Sequence, residues 1–386
     1  MSSPPSNQAS RAAETRPSPV QRIDSSKSCT RSGEHRAPLV SVIVAAFNAE
    51  RYIGETCRSV LNQTYSALEL IVVDDGSNDG TSDVVGALAA ADPRVRLIRQ
   101  QNLGVAAARN RAIAAARGEF IAPLDADDLW APTKVERQLR RLQECGIETG
   151  AVYCWWSWID SHGAVLGRSP DWRIEGRVLQ RLIEINFTGN ASVPMYRRSV
   201  VEGSDWYSAK LRDLGCQGCE DWDLVLRTAE RYAVSVVPAV LVGYRRRTDS
   251  MSADCQTMWH SRAQVMATLA ARQPSIPPAV FRRSTGQFAL HLAGVAFWSG
   301  NYLQACYWGL RVRSLTLGLA ILPYVARLFA RRLLRAGSFR RTPAAGNNQF
   351  DESALPDPLI PYDRIYARRW RMQARAAQSE AGQTPS

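Results

Sequence analysis

The sequence predicts an α/β fold: an open, mostly parallel central sheet with flanking helices, followed by a helical C-terminal region. Three observations carry this. Apolar, β-branched runs recur with amphipathic helical stretches between them between residues 38 and 124. Those runs are apolar at successive positions rather than at alternate ones, as strands covered on both faces are. Past about residue 255 the pattern turns helical, to about 335.

Order begins at "PLVSVIVAAFN" (38–48), where 39–46 reads as the first buried strand. A helical stretch at about 50–62 follows, with Ile53, Cys57, Val60 and Leu61 on one stripe. "LELIVVDDGSNDGT" (68–81) is a second buried strand that ends in acids and a turn. Then come a helix at about 82–91, a short strand at 95–98, a loop at "QNLGV", an Ala-rich helix at 105–116 and a strand at 119–124. This rhythm is that of βαβ units, whose ligands sit at the carboxyl ends of the strands. Three such ends carry polar groups: Phe47–Asn48, Asp74–Asp75 and the cluster Asp125, Asp127 and Asp128. They are expected to converge on one crevice. Between 150 and 250, "AVYCWWSWID" reads as a strand, a helix is expected near 175–186, and "CEDWDLVLRTAERY" (219–232) is an amphipathic helix. The acids in its first turn suit the helix dipole.

The rest of the composition narrows the class. Residues 1–36 hold almost no large apolar side chains and read as a disordered tail. The formal net charge is +12, nearly all of it arginine, since the only lysines are Lys27, Lys134 and Lys210. Such a surface suits anionic lipid, phosphate-bearing substrates or nucleic acid, or reflects arginine-rich codon usage alone. Eight scattered cysteines in so long a chain are no disulfide framework, and Cys216–Cys219 is a lone pair without a second one for zinc. That reads as a reduced, cytoplasmic protein. The first ~20 residues lack an apolar signal core. No uncharged apolar run reaches the ~18 residues of a membrane span.

Three carboxylates within four positions repel one another unless a cation or hydrogen-bond donors sit between them. A calcium loop starting at Asp125 has Trp130 where glycine is needed, and one starting at Asp75 has Gly86 where the bidentate Glu belongs. Mg²⁺ or Mn²⁺ shared with a diphosphate is the better account, because these ions use one or two carboxylates and take the rest from water and phosphate.

The ordered series "VSVIVAAFNAERYIGETCRSVLNQTY", "ELIVVDDGSNDGT", "NLGVAAARNRAIAAARGEFIAPLDADDLWAPTKVERQL" and "CEDWDLVLRTAERY" resembles the family-2 glycosyltransferases over roughly residues 38–250. The resemblance implies a GT-A fold and inverting transfer of a sugar from a nucleotide-sugar donor, usually a UDP-sugar, with a divalent cation. It implies a nucleotide-binding half (38–150) and an acceptor half (151–254); composition and pattern add the tail 1–37, a helical region 255–336 and a basic tail 337–386. By position, Asp75 matches the acid on the nucleotide base, with Asp74 beside it. Ala45 and Phe47 match the wall against the base. Asn102, Gly104 and Arg109 match the loop and helix start near ribose and phosphates. Asp125 and Asp127 match the Asp-x-Asp, with Asp127 the favoured metal ligand. Glu220 and Asp221 match the acidic pair that supplies the catalytic base, with Asp221 favoured.

The chemistry asks for these residue types. Inversion is one in-line displacement at the anomeric carbon, in which a carboxylate takes the acceptor's hydroxyl proton. The leaving diphosphate gains charge that a metal and arginines offset. The expected acceptor is a glycan or lipid-linked hydroxyl in surface-polysaccharide synthesis. The competing readings are a nucleotide-sugar-binding protein without turnover, a nicotinamide-dependent oxidoreductase and a nucleic-acid binder. The oxidoreductase needs G-x-G-x-x-G where "AAFNAERYIG" stands, and no nucleic-acid partner is expected. Trp155, Trp156 and Trp158 are either core or an acceptor-sugar platform. Arg245 to Arg247 either reach the diphosphate or form a solvated basic face. "LTLGLAILPYVARLFARRLLR" (315–335) is either a basic interfacial helix, giving peripheral contact with the inner face of the plasma membrane, or a hairpin on the catalytic domain.

Overall fold

A computed structural model describes residues 37–200, 206–247 and 249–312. The tails expected at 1–36 and 337–386, and the stretch 315–335, lie outside the described residues. Met1–Ala37 and Pro38–Ser386 are separate units, and the described strands and helices all belong to the second.

The first half runs β1 (Val40–Ala46), α1 (Glu50–Leu61), β2 (Leu68–Asp74), α2 (Thr81–Ala91), β3 (Val95–Arg99), α3 (Val105–Ala115), β4 (Phe120–Asp125), β5 (Leu129–Trp130) and α4 (Lys134–Glu144). The second runs β6 (Thr149–Ile159), β7 (Val165–Arg168), α5 (Leu179–Glu184), β8 (Met195–Arg197), α6 (Lys210–Asp213), α7 (Glu220–Arg231) and β9 (Ala233–Arg245). Helices α8 (Cys255–Arg272), α9 (Pro278–Trp298) and α10 (Tyr302–Leu310) close the described chain.

The strands form a single sheet in the order β3-β2-β1-β4-β8-β6-β9-β5, with β7 on the side of β6. The α/β sheet with mostly parallel strands that the sequence predicts is therefore present, and β1 to β4 are parallel. Their βαβ crossovers place helices on the sheet faces, which is why β2 is buried at every position. Register then fixes the site. Ala45 lies beside Val73 on one flank and Asp125 on the other, and Ala46 lies beside Asp74. The carboxyl ends of β1, β2 and β4 thus open along one edge. The carboxylates of β2 and β4 flank β1 at roughly two strand spacings, about 10 Å apart.

The second half is irregular. Strand β8 runs antiparallel to both β4 and β6, while β6 and β9 are parallel. Strand β9, 13 residues long, is absent from the sequence reading because Pro238 interrupts its apolar run. The register with β6 jumps from Cys154↔Val237 to Trp155↔Val240. Pro238 and Ala239 therefore sit in a bulge, where a missing N–H costs no ladder bond.

Two expected helices change and one forms that was not expected. The helix expected at 175–186 starts at Leu179, because Gly176, at φ +90°, pairs with Val234 instead. The helical run from 255 breaks at the prolines 274, 277 and 278 and again at Gly300–Asn301. Helix α4 forms at residues where the sequence reading named none; its amphipathic face buries Val135, Leu139 and Leu142.

Candidate functional site

At the end of β2 the two acids are tied into the protein. Asp74 accepts from the Ser77 amide (3.0 Å) and from the Ser82 hydroxyl, pinning the start of α2. Asp75 accepts from Gln100 Nε2 (2.7 Å), the Leu103 amide (2.9 Å) and the Gly104 amide (2.8 Å). Its carboxylate therefore shapes the loop ahead of α3. In that loop Gly104 has φ +90°, and a Cβ there would meet Arg212 Cδ at 2.9 Å. The positive φ favours glycine, while the Arg212 side chain would have to shift for a Cβ. Arg212 donates to the Asn102 carbonyl and to its side-chain oxygen, each at 3.1 Å. Phe47, at the end of β1, is 49% exposed, a large apolar face left open beside these groups.

The acids after β4 divide in function. Asp128 is fully buried. Its Oδ2 accepts from Asn190 Nδ2 and Ser192 Oγ, both at 2.6 Å, and its Oδ1 from the Arg245 amide at 2.8 Å. Asp125 accepts from Arg109 Nη2 at 2.5 Å and from Asn190 Nδ2 at 3.0 Å, and its amide donates to Ser192 Oγ at 2.9 Å. Asn190 thus donates to two carboxylates at once and holds the pair together. Asp127 has the weakest compensation. Its Oδ2 faces Arg247 Nη1 at 3.3 Å. Burial and the neighbouring Asp125 push its pKa up to about 6 against the pull of Arg247 and Arg245.

Antiparallel pairing of β5 with β9 brings the arginines here, through Leu129↔Gly243 and Trp130↔Val242. Arg245 is buried, with its guanidinium spent on the Asp127 carbonyl (2.7 Å), the Asp160 carbonyl (2.9 Å) and Glu55 (2.9 Å). Neither expectation for Arg245 fits: it is a strut of the acid loop, with each guanidinium nitrogen already engaged by the protein. Arg246 stacks over Trp158 at 5.3 Å, and Arg247 alone of the three faces an acid of the cluster. Trp155 and Trp156 are buried, as core residues are, and Trp158 is half-buried.

Arg109 links the two halves. It is buried, bonds Asp125, and lies over the Tyr207 ring at 5.0 Å. Asp125 foremost, then Tyr207, Glu220 and Asp221, hold its pKa above the usual arginine value despite burial. Glu220 and Asp221 open α7, in the acidic first turn expected for it. Glu220 accepts from the Gly218 amide at 2.9 Å through Oε2, while its buried Oε1 has no partner among the described residues. Burial pushes Asp221 up to about 7, with Glu220 and Asp125 adding to the shift and Arg109 opposing it. A carboxyl of that basicity accepts a proton effectively near neutral pH.

A divalent cation fits the vicinity of Asp127. Among the described residues no three of His, Cys, Asp or Glu gather as a preformed cage. Mg²⁺ and Mn²⁺ need no such cage when phosphates supply ligands. An under-compensated carboxylate beside a second one is the donor such an ion takes. Asp125, with one oxygen on Arg109 and the other on Asn190, is less free to ligate. Sequence reading missed Asn190 and Ser192, whose only local signal is a small polar "GNAS" between apolar residues.

The parallel strands β1 to β4, with acids at their carboxyl ends, have the layout of open α/β sheets that bind ligands there. Residues 41–202 match the family described as "Glycosyl transferase family 2", and the α/β architecture agrees with that match. EpsH of Bacillus subtilis (strain 168) is 36% identical over 170 residues, 43% of this chain and 48% of EpsH. Chondroitin synthase of Escherichia coli is 37% identical over 142 residues, 37% of this chain and 21% of the synthase. The chain thus spans less than half the length of these relatives. Among solved structures, the mannosyltransferase PcManGT from Pyrobaculum calidifontis, in complex with GDP-Man and Mn²⁺, shares the fold. Its TM-score is 0.52 at 21% identity, over 78% of this chain and 83% of that one.

Proposed function

We propose that this chain transfers a sugar, with inversion, from a nucleotide-diphosphate sugar to a glycan or lipid-linked hydroxyl in the synthesis of a cell-surface polysaccharide. A UDP-sugar is the favoured donor. One observation carries the reading: Arg109 is ion-paired with the donor-side Asp125 and lies on the Tyr207 ring, where its charge also reaches the acid pair at the start of α7. In this scheme the acceptor oxygen forms the new bond to the anomeric carbon while the bond to the diphosphate oxygen breaks. Asp221 takes the acceptor's proton, and Glu220 is the alternative base. Phe47 and the Ala45 backbone wall the base, which Asp75 also reaches. Asn102, Gly104 and Arg109 bound the ribose and phosphates, and Asp127 holds the metal, with Asp125 beside it. The cation would offset charge on the leaving diphosphate. The named relatives support the context, since one is a chondroitin synthase and the fold neighbour holds GDP-Man and Mn²⁺. We place the protein in the cytoplasm, in peripheral contact with the inner face of the membrane. No described helix is long and apolar enough to cross one.

The test is a panel of nucleotide sugars with Mn²⁺ or Mg²⁺ and glycan acceptors, read by NMR of the product's anomeric proton. One donor is expected to turn over with inverted configuration and to need the metal. A product that retains the donor's configuration, or tight donor binding with no transfer to any acceptor, removes the reading.

A further inference from the structure

We infer that the outer face of α10 is a docking surface for an anionic phospholipid bilayer. This deepens the membrane part of the reading above, and its test requires no turnover, so the two fail separately. Leu303 and Leu310 are each 87% exposed and Tyr307 is 44% exposed. At 100° per residue these three positions fall within about 60° of arc, a single stripe. Trp308, about 130° around the helix from that stripe, is buried and stacks on Trp259 at 5.1 Å. Helix α10 is therefore fixed to the protein by one side and presents large apolar groups on the other. Trp298, at the end of α9 where the chain turns into α10, is 50% exposed, and tryptophan favours the boundary between water and lipid.

Charge identifies the occupant. Residues 255–350 contain 12 arginines and no lysine, aspartate or glutamate, so the whole formal net charge of +12 resides in this run while the remainder balances. Arg262 is buried, and Arg272 and Arg283 pair with Glu230 and Glu184. Most of the other arginines follow the stripe directly in sequence, from Arg311 to Arg341. Arg311 itself lies over the Tyr307 ring at 4.6 Å, at the edge of the stripe. An apolar stripe followed in sequence by cations with no anion among them suits a surface that is apolar inside and negative outside. A second protein would have to offer both. Each basic residue near such a surface strengthens binding by about fivefold, and the leucines add burial at the headgroup boundary.

The experiment is co-sedimentation of the full chain with vesicles of phosphatidylcholine alone or with about 30 mol% phosphatidylglycerol. Hydrogen exchange of the peptide covering α10 accompanies it. Wild type is expected to bind only the anionic vesicles, to release in about 0.5 M salt, and to gain protection in α10 when bound. The double variant Leu303→Asp/Leu310→Asp, altered only at exposed positions, is expected to keep its melting temperature and lose at least about tenfold in affinity. Three results overturn the assignment. One is equal binding by the variant, which leaves the arginines alone responsible. A second is no binding of wild type to anionic vesicles. The third is full protection of α10 before vesicles are added, which means that the chain itself or a second copy covers the face.

Discussion

The two halves of the sheet reach the same acid cluster by different routes. In residues 38–150 the polar groups are delivered by neighbouring parallel strands, and register alone places Asp74 and Asp125 on either flank of β1. In residues 151–254 the groups come from far along the chain. Asn190 meets Asp128 across 62 positions and Asp125 across 65, and Arg247 meets Asp127 across 120. The first half is thus a platform whose geometry is built into its strands. The second half is a frame that closes on it through a bulged strand, one amide and three arginines. The difference suggests that changes on the platform side act on donor binding, and changes on the frame side act on transfer.

The largest expected effect comes from the carboxylate that the frame presents. Asp221→Asn keeps the shape of the first turn of α7 and removes the proposed proton acceptor, so kcat is expected to fall by about 10²–10⁴. Donor affinity, read by isothermal titration with Mn²⁺, should stay within about threefold. The pH profile sharpens this. Asp221 accepts a proton only when ionised, and its pKa is pushed up to about 7. The wild-type rate should therefore climb as pH rises through about 7 and level off above it. A flat profile between pH 6 and 8 breaks the assignment to Asp221, and retained transfer in D221N together with its loss in Glu220→Gln moves the base one residue back.

Asn190 is the next test, because its amide nitrogen donates to both carboxylates and so ties frame to platform. Asn190→Ala leaves Asp125 and Asp128 each short of one donor in a buried setting. Such a loss costs about 1–3 kcal/mol per group left unsatisfied. The expected outcome is a melting temperature lowered by several degrees and kcat/KM reduced by roughly tenfold to a hundredfold, measured by thermal shift and initial rates. Asn190→Asp, which adds a third carboxylate, should be worse than alanine. If Asn190→Asp matches wild type, the amide is not what holds the two acids together.

The same contrast explains how much was legible in the sequence. The platform was readable because its signals are local: runs such as "VSVIVAA" need cover on both faces, and acids at their ends need a cation or donors. The acid pair on α7 was readable for a similar reason, since an acidic first turn is a helix signature. The frame was not readable, because nothing in "GNAS" announces a partner 62 residues away. Arg245 was misread because three consecutive arginines look solvated until β9 and β5 pair and bury the first of them. Asp75 shows the limit from the other side. Its identity as a site acid was visible, but not that loop amides already occupy both of its oxygens.

Pro238 gives the smallest expected effect and bears on the frame alone. It hid β9 by interrupting an apolar run, yet it lies where β6 and β9 fall out of register and is itself exposed. Proline there removes no ladder bond and narrows the unfolded chain's freedom, a gain of about 0.4–1 kcal/mol where the backbone fits. Pro238→Ala should therefore lower the melting temperature by only a few degrees and leave kcat, donor affinity and metal requirement unchanged. The measurement is calorimetric melting paired with a full kinetic comparison. A large loss of activity would mean that the bulge sets the position of Arg245 and, through it, of the acid loop at Asp127 and Asp128. The frame's irregularity would then be part of the site's geometry rather than a tolerated break in a strand.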